Sequence, residues 1–411
     1  MYLIDIDSIK TAKSRLQNIV MHHPLAYAPR LSNIAKTNVY LKKENLQPTG
    51  AFKIRGAFNK IAALKELDEK NNTQILNKGV ICASAGNHAQ GVAFSAQHFN
   101  TRAVIVMPES TPLLKVMGTK TMGAEVVLAG NNYDEAYAHA QVLAQEENLT
   151  FIHPFADRDV MAGQGSIALE MIAEENLDVV IVPIGGGGLI SGIASAYKAL
   201  SPQTRIIGVN AKGANAMKQS FYARTMQNSS SVKTIADGIA VRDVNEMTFN
   251  CIMSCVDGIV EVDDEEIASA ILFLLESQKL VVEGAGAASV AALMHHKVKV
   301  DPNEKVGVIL SGGNIDVTML NIIIEKALLK SDRKMKFQVI LVDKPGSLQN
   351  LTELLTKEGA NIVFINYSRI STKLEYGDAI VELALEIKGK AHKDSVYKIL
   401  LEHGYQFSEM P

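Results

Sequence analysis

The sequence predicts an α/β protein: an open, mostly parallel sheet architecture, with a smaller β-α-β-β-α module at its C-terminal end. Three observations carry this. Short β-branched runs alternate with helical patterns from residue 39 to residue 310, the pattern of a parallel sheet covered by helices. Two glycine-rich turns each follow such a run and open a helix. The polar stretch S-D-R-K-M-K at 331–336 then interrupts the alternation and marks a domain boundary. A chain of 411 residues exceeds one typical core, so two or three domains are expected.

Taken in order, strands are expected at 39–44, 79–84, 102–107, 124–128, 178–184, 205–210 and 305–310, and helices at 54–67, 86–98, 133–147, 163–175, 193–200, 264–279 and 285–295. Pro48 and Gly50 punctuate the end of the first run, which puts Lys53 near a strand-to-helix junction. Residues 179–197 carry no charge and approach the length of a bilayer span. Pro183 and four consecutive glycines would break a spanning helix, so buried strand, glycine turn and helix is the better reading. Beyond the boundary come strand 337–342, turn 343–346, helix 347–358, strands 361–368 and 378–387, and helix 392–403, with a last strand beginning near Tyr405. That order is ferredoxin-like.

Composition narrows the function. A formal charge of −3 and a pI near 6.4 give no basic field, so nucleic acid is not an expected partner. Three dispersed cysteines fit a reducing cytosol rather than a disulfide framework. Cys251 and Cys255 are four apart, with no second pair or nearby histidine, and read as packed thiols rather than metal ligands. The N-terminal M-Y-L-I-D-I-D-S-I-K, with two aspartates and no long apolar core, is not expected to be a signal peptide. The expected location is cytoplasmic, without a membrane partner.

Lys53 lies at the centre of Q-P-T-G-A-F-K-I-R-G-A, among the apolar or small residues Ala51, Phe52, Ile54, Gly56 and Ala57. Partial desolvation there would lower the ammonium pKa toward the range where a free amine forms a Schiff base. Alone, these residues fit a solvated first-turn lysine better. Two further loops change the reading: S-A-G-N-H-A-Q-G at 84–91 and G-G-G-G-L-I-S-G at 185–192. Each points backbone N–H groups and a positive helix end at an anion. Two anion cradles and a cleft lysine fit a phosphorylated aldehyde cofactor and an amino-acid substrate.

With S-G-G-N at 311–314, these motifs resemble, in order and spacing over roughly residues 10–330, the threonine dehydratase (threonine ammonia-lyase) family of pyridoxal-phosphate enzymes. The resemblance implies a tryptophan-synthase-β-like catalytic domain of fold type II at 1–330, two-lobed with open twisted sheets, the smaller lobe inserted at about 55–153. A linker at 331–336 and a regulatory domain at 337–411 would follow. It implies that Lys53 carries pyridoxal 5'-phosphate and, once freed by substrate, removes the α-proton. Gly185, Gly186, Gly187, Gly188 and Leu189 would hold the phosphate through main-chain N–H groups, Asn87 the ring hydroxyl, and Phe52 the ring face. Ser84, Ala85, Gly86, Asn87 and His88 would cradle the substrate carboxylate, Ser84 and His88 being catalytic candidates beside Lys53. The cofactor phosphate is the implied proton donor to the leaving hydroxyl. Ser311 would face the pyridine nitrogen; a hydroxyl, unlike an aspartate, does not hold that nitrogen protonated, which favours prompt elimination. The implied reaction is deamination of L-threonine to 2-oxobutanoate and ammonia. L-serine would be a weaker substrate, since one methyl group discriminates by only about 1–3 kcal/mol.

D-K-P-G-S-L at 343–348, with residues 360–365 after the next helix, resembles an ACT domain. This implies an amino-acid effector such as isoleucine or valine near Asp343, Pro345, Gly346 and Leu348, and a homo-oligomer, dimer or tetramer. A plain oligomerisation tail is the alternative reading. A single sensor domain leaves isoleucine biosynthesis and a catabolic role both open.

Departures from relatives sharpen the choice. Serine racemase, a cousin, has a serine at the place of Ala85 that serves as acid and base on the opposite substrate face, so racemisation is expected to be poor here. The racemase cation site has acids where this chain has Asn210 and Ala216, and no metal is expected, although Glu283 and Asp237 could build a different site. A nicotinamide-dependent oxidoreductase is the main rival. Its fingerprint needs glycine at the first, third and sixth positions, but the sixth is Ile190 or Ser191, and Asn210 stands where an acid is needed. A non-catalytic amino-acid-binding regulator is opposed by Lys53, Asn87, the four glycines and Ser311 together.

Overall fold

Residues 4–370 and 375–410 are described by the computed structural model; Met1 to Leu3, the start of the segment read as no signal peptide, lie outside them. The chain divides into two units, Met1–Asp316 and Val317–Pro411.

Runs of valine and isoleucine without polar alternation need cover on both faces, and in the first unit helices supply it. A six-stranded sheet is ordered β1 (Ala26–Tyr27), β2 (Asn38–Lys43), β10 (Lys305–Leu310), β7 (Val179–Pro183), β8 (Arg205–Ala211) and β9 (Gly258–Val262), parallel except at β1. A smaller parallel sheet is ordered β5 (Glu125–Leu128), β4 (Ala103–Met107), β3 (Val80–Ala83) and β6 (Thr150–Phe151). Every residue of β4 and β7 is buried. The larger core gathers Val180, Val182, Ile190, Ile193 and Ile252, and the smaller one Val80, Cys82, Val92 and Ile105.

Helix Lys53–Asn71 packs on helix Arg158–Glu174 so closely that a Cβ on Gly163 would lie 2.5 Å from Arg55 O. At this contact Arg55, fully buried, meets the buried carboxylates Glu44 and Glu170. Helix Arg158–Glu174 starts earlier than its periodicity suggests, because Asp157 caps it by accepting from the N–H groups of Asp159 and Val160. Helix Gly188–Leu200 begins inside the glycine run, where propensity hides it. The pattern at 264–279 is helical only to Phe273; a π turn, Leu274–Gln278, follows. The unit also contains helices Ile6–Arg15, Leu113–Thr121 and Glu246–Cys255, among others.

The units divide at Asp316 and Val317, upstream of the boundary expected at 331–336. Helix Val317–Lys330 falls in the second unit, and Lys334 to Lys336 already belong to β11 (Lys334–Val342). With β12 (Asn361–Ser368), β13 (Asp378–Glu386) and β14 (Gln406–Glu409) it forms an antiparallel sheet ordered β12-β13-β11-β14. Met335, Phe337, Val339 and Leu341 alternate inward along β11. Leu351, Leu354 and Leu355 of helix Ser347–Lys357, and Val396 and Leu400 of helix Lys390–Glu402, share a core with Phe337, Val339 and Leu341. This is the expected ferredoxin-like arrangement. Among the described residues no helix is long and apolar enough to cross a membrane.

Candidate active site

Loops at the C-terminal ends of β2, β3, β7 and β10 converge on a cavity of about 810 Å³ within the first unit, the crevice where open α/β sheets take their ligands. T-G-A-F-K is docked on S-G-G-N: Phe52 N donates to Ser311 O at 3.0 Å and Gly313 N to Gly50 O at 2.8 Å. Gly50 has φ +70°, and a Cβ there would sit 2.2 Å from Asn314 Oδ1, so only glycine fits the turn that delivers Lys53 to its helix. Lys53 Nζ donates to Pro154 O at 2.7 Å and lies 5.3 Å from the centre of the Phe52 ring. Lys53 lines the cavity. Burial lowers its pKa from 10.5 to about 8, against the opposing charge of Glu283.

After β7 the chain turns through Gly185, Gly186 and Gly187 into helix Gly188–Leu200. Gly187 has φ +91°, and a Cβ on Gly186 would strike the Phe155 ring at 2.3 Å. The four glycines are thus needed for packing against Phe155, Ile239 and Thr248. On the cavity side, the first N–H groups of the helix, those of Gly188 and Leu189, have no intrahelical acceptor. That is a cradle of phosphate type.

Helix Asn87–His98 presents a second set of first-turn N–H groups. Gly86 N is already bonded to Ser84 Oγ, 3.2 Å, which leaves Asn87 and His88 as the donors of that loop. His88 Nε2 donates to Ile152 O at 2.9 Å, and its buried Nδ1 has no partner among the described residues. Burial, then the charge of Lys53, lowers its pKa to about 3, so the imidazole is neutral and offers a fixed acceptor rather than a titrating acid. Asn87 Nδ2 donates to Glu283 Oε1 at 2.7 Å, and Asn314 Nδ2 to Asn87 Oδ1 at 2.7 Å. Ser311 is buried at the end of β10, on the cavity wall.

All the expected cofactor and carboxylate residues, Phe52, Lys53, Ser84, Ala85, Gly86, Asn87, His88, Gly185 to Leu189 and Ser311, line this one cavity. Pro154 and Phe155 join them without a signal in the sequence pattern, since they follow β6, a strand of two residues and too short for periodicity to reveal; Glu283 and Asp237, considered in the sequence only as possible cation ligands, line the cavity too. An amine whose pKa burial lowers to about 8, a glycine cradle that a side chain would fill and an unpartnered imidazole nitrogen fit a phosphorylated aldehyde cofactor. The chemistry of the donor set agrees.

Other expectations fall elsewhere. Asn210 is structural, donating to Ile184 O at 2.8 Å and accepting from Lys218 N at 2.9 Å. Among the described residues no group of three or more His, Cys, Asp or Glu could hold a metal ion. Cys251 and Cys255 are buried, free thiols with sulfurs 3.8 Å apart. Asp343, Pro345, Gly346 and Leu348 line a pocket of about 390 Å³ in the second unit, with Lys344, Tyr367 and Arg369. Tyr367 Oη donates to Asp343 at 2.8 Å, and Arg369 pairs with it at 3.0 Å.

The sequence model of the pyridoxal-phosphate dependent enzymes matches residues 17–312. The L-threonine ammonia-lyase of Thermotoga maritima is 43% identical over 98% of this chain and 99% of its own. That of Geobacter sulfurreducens is 44% identical over 97% of each. Among solved structures, the processed form of threonine deaminase isoform 2 from Solanum lycopersicum superposes with a TM-score of 0.72 at 37% identity, covering 79% of this chain and 90% of that one. Maize serine racemase superposes with a TM-score of 0.72 at 34% identity, covering 79% of this chain and 98% of that one.

Proposed function

We propose, for a chain that belongs to the pyridoxal-phosphate dependent enzyme family, the deamination of L-threonine to 2-oxobutanoate and ammonia by α,β-elimination of water. The observation that carries it is one cavity holding a lysine amine of pKa about 8 between two helix-start cradles. Identity of 43% and 44% with two L-threonine ammonia-lyases over nearly the whole of each chain supports the substrate.

When bound, pyridoxal phosphate supplies the aldehyde and the conjugated ring that takes up the electrons of the broken Cα–H bond. Lys53 Nζ, partly deprotonated near neutral pH, is the base that takes the α-proton. The N–H groups of Gly188 and Leu189 would hold the phosphate, and those of Asn87 and His88 the substrate carboxylate, with Ser84 Oγ fixing the loop by accepting from Gly86 N. Phe52 would bound the ring face, and the remaining N–H of Asn87 would serve the ring hydroxyl. Ser311 would hydrogen-bond the ring nitrogen without holding it protonated, which favours prompt elimination. Ala85 offers no acid or base on the far face of the substrate.

Purified holoenzyme given L-threonine should release 2-oxobutanoate, with pyruvate from L-serine at a lower kcat/KM. Faster turnover of serine, or appearance of D-serine ahead of keto acid, would favour the dehydratase-racemase reading.

The second unit we read as an ACT-like sensor whose pocket takes a small apolar amino acid, isoleucine or valine. Apolar Pro345 and Leu348 stand beside charged Asp343 and Arg369 there, which suits a zwitterion with an aliphatic side chain. Asp343→Ala should leave threonine turnover unchanged without effector and abolish the effector's heat of binding to the intact chain; retained binding would move the effector elsewhere. A cytosolic homo-oligomer, dimer or tetramer, completes the reading. It is supported by exposed Val363, Phe364 and Ile365 on edge strand β12, apolar surface that self-association would cover.

A further inference from the structure

Glu283 is a buried carboxyl that stability does not explain. It is 4% exposed, and among the described residues it has one side-chain hydrogen-bond donor, Asn87 Nδ2, and no ion pair. Burying a carboxylate so poorly paired works against folding. Yet the fold makes room for it: a Cβ on Gly312 would lie 2.3 Å from Glu283 Oε1, and one on Gly238 3.3 Å from it. Its backbone is pinned as well, Glu283 N donating to Gly312 O at 3.1 Å.

The neighbouring amides explain what the slot achieves. Asn314 Nδ2 donates to Thr49 O at 2.8 Å and to Asn87 Oδ1 at 2.7 Å, which fixes Asn314 as a donor toward Asn87. Asn87 in turn donates to Glu283 at 2.7 Å. A flipped Asn87 amide would set N–H against N–H at Asn314 and oxygen against oxygen at Glu283, so the two neighbours select the same orientation.

We propose that Glu283 is a positioning residue for the cofactor, holding the Asn87 amide so that it offers the cavity an N–H and not its oxygen. The inference rests on the pyridoxal-phosphate reading. The charged groups facing Glu283 are Asp237 from the segment before helix Glu246–Cys255, Lys115 from helix Leu113–Thr121 and Lys53. Burial, then Asp237, lifts its pKa to about 7 against Asn87 and the two lysines, which leaves the carboxylate substantially populated at neutral pH.

The test is the pyridoxal-phosphate dissociation constant of the holoenzyme, followed by loss of its visible absorbance on dialysis. Glu283→Gln keeps an acceptor for Asn87 and should stay close to wild type. Glu283→Ala should weaken binding by about tenfold or more, the effect of one hydrogen bond to a charged group. In an Asn87→Ala background the same substitution should add nothing. If the alanine variant does not fold, Glu283→Leu, which fills the slot without an acceptor, reads the same loss. Equal damage by glutamine and alanine, or additive losses in the double variant, would overturn the proposal. A wild type that takes up no pyridoxal phosphate would overturn the family reading and this inference with it.

Discussion

Arg55→Ala should lower the unfolding free energy of the first unit by about 3–5 kcal/mol, the range for removing one partner of a buried ion pair. The guanidinium is fully buried and uses its whole fork: Nε and Nη2 reach Glu44 at 2.8 Å each, while Nη1 and Nη2 reach Glu170 at 2.6 and 3.0 Å. Nη1 also donates to Ser166 Oγ at 3.1 Å, and Lys42 Nζ donates to Glu170 at 2.6 Å. Two positive and two negative charges thus balance, and removing Arg55 leaves one ammonium for two buried carboxylates. Arg55→Lys should rescue little, because a point charge cannot serve both carboxylates in bidentate geometry. Burial alone would raise the pKa of Glu170, but Arg55 and Lys42 outweigh it and hold the group below the ordinary value. A depressed carboxylate pKa contributes stability above its unfolded value and loses it as pH falls. The gap between wild type and variant should therefore be widest near neutral pH and narrow in acid. Urea unfolding followed on the first unit at both pH values checks this; a neutral-pH loss below about 1 kcal/mol, typical of an exposed pair, would contradict it. Arg55 lies two residues beyond Lys53, so the same network seats the helix start that aims the reactive amine.

The contrast between Arg55 and Lys53 shows what the sequence could and could not reveal. The place of Lys53 at a strand-to-helix junction was legible because its signals are local, Pro48 and Gly50 ending a strand and a helical pattern following, but its reading as a cleft amine needed the two downstream glycine loops and S-G-G-N as well. The glycine run after β7 was legible for the same reason, although half of its explanation, the pressure of Phe155 on Gly186 and Gly188, comes from a residue some thirty positions upstream. Arg55 carries no such signal. Its partners Glu44 and Glu170 come from a turn and a distant helix, and an arginine on a helical pattern reads as solvated until the facing helix is known. Glu283 entered the sequence reading as a possible cation ligand; the structure instead gives it an amide to hold. The C-terminal boundary was placed late because helix Val317–Lys330 has only Ile323 among its fully buried residues and left the polar stretch after it as the stronger signal.

Lys53→Ala should abolish the visible band of the bound cofactor and reduce kcat/KM for threonine by about 10²–10⁴-fold through loss of the base alone. The loss of the covalent attachment comes in addition. The fold should survive, because the ammonium makes a single hydrogen bond, to Pro154 O, and its burial opposes the charged form. Circular dichroism of the variant should match wild type, which separates chemistry from unfolding. In the wild type the pH dependence follows from the sign of the shift. The free amine is the reactive form, and burial moves its pKa down from 10.5 to about 8, so linkage of pyridoxal phosphate to protein stripped of it should accelerate with rising pH and level off above about pH 8. An ordinary exposed lysine would still be accelerating two units higher. Glu283 opposes the shift, so Glu283→Gln should move the inflection to lower pH, since removing a nearby negative charge makes the ammonium easier to deprotonate. An inflection near 10.5 would mean that solvent reaches the amine freely, and an unchanged inflection in Glu283→Gln would mean that the two groups are screened from each other. Full turnover in Lys53→Ala would remove Lys53 from the reaction altogether, because no other lysine among the described residues lines the cavity except Lys115, which is held by Asp237 at 3.2 Å.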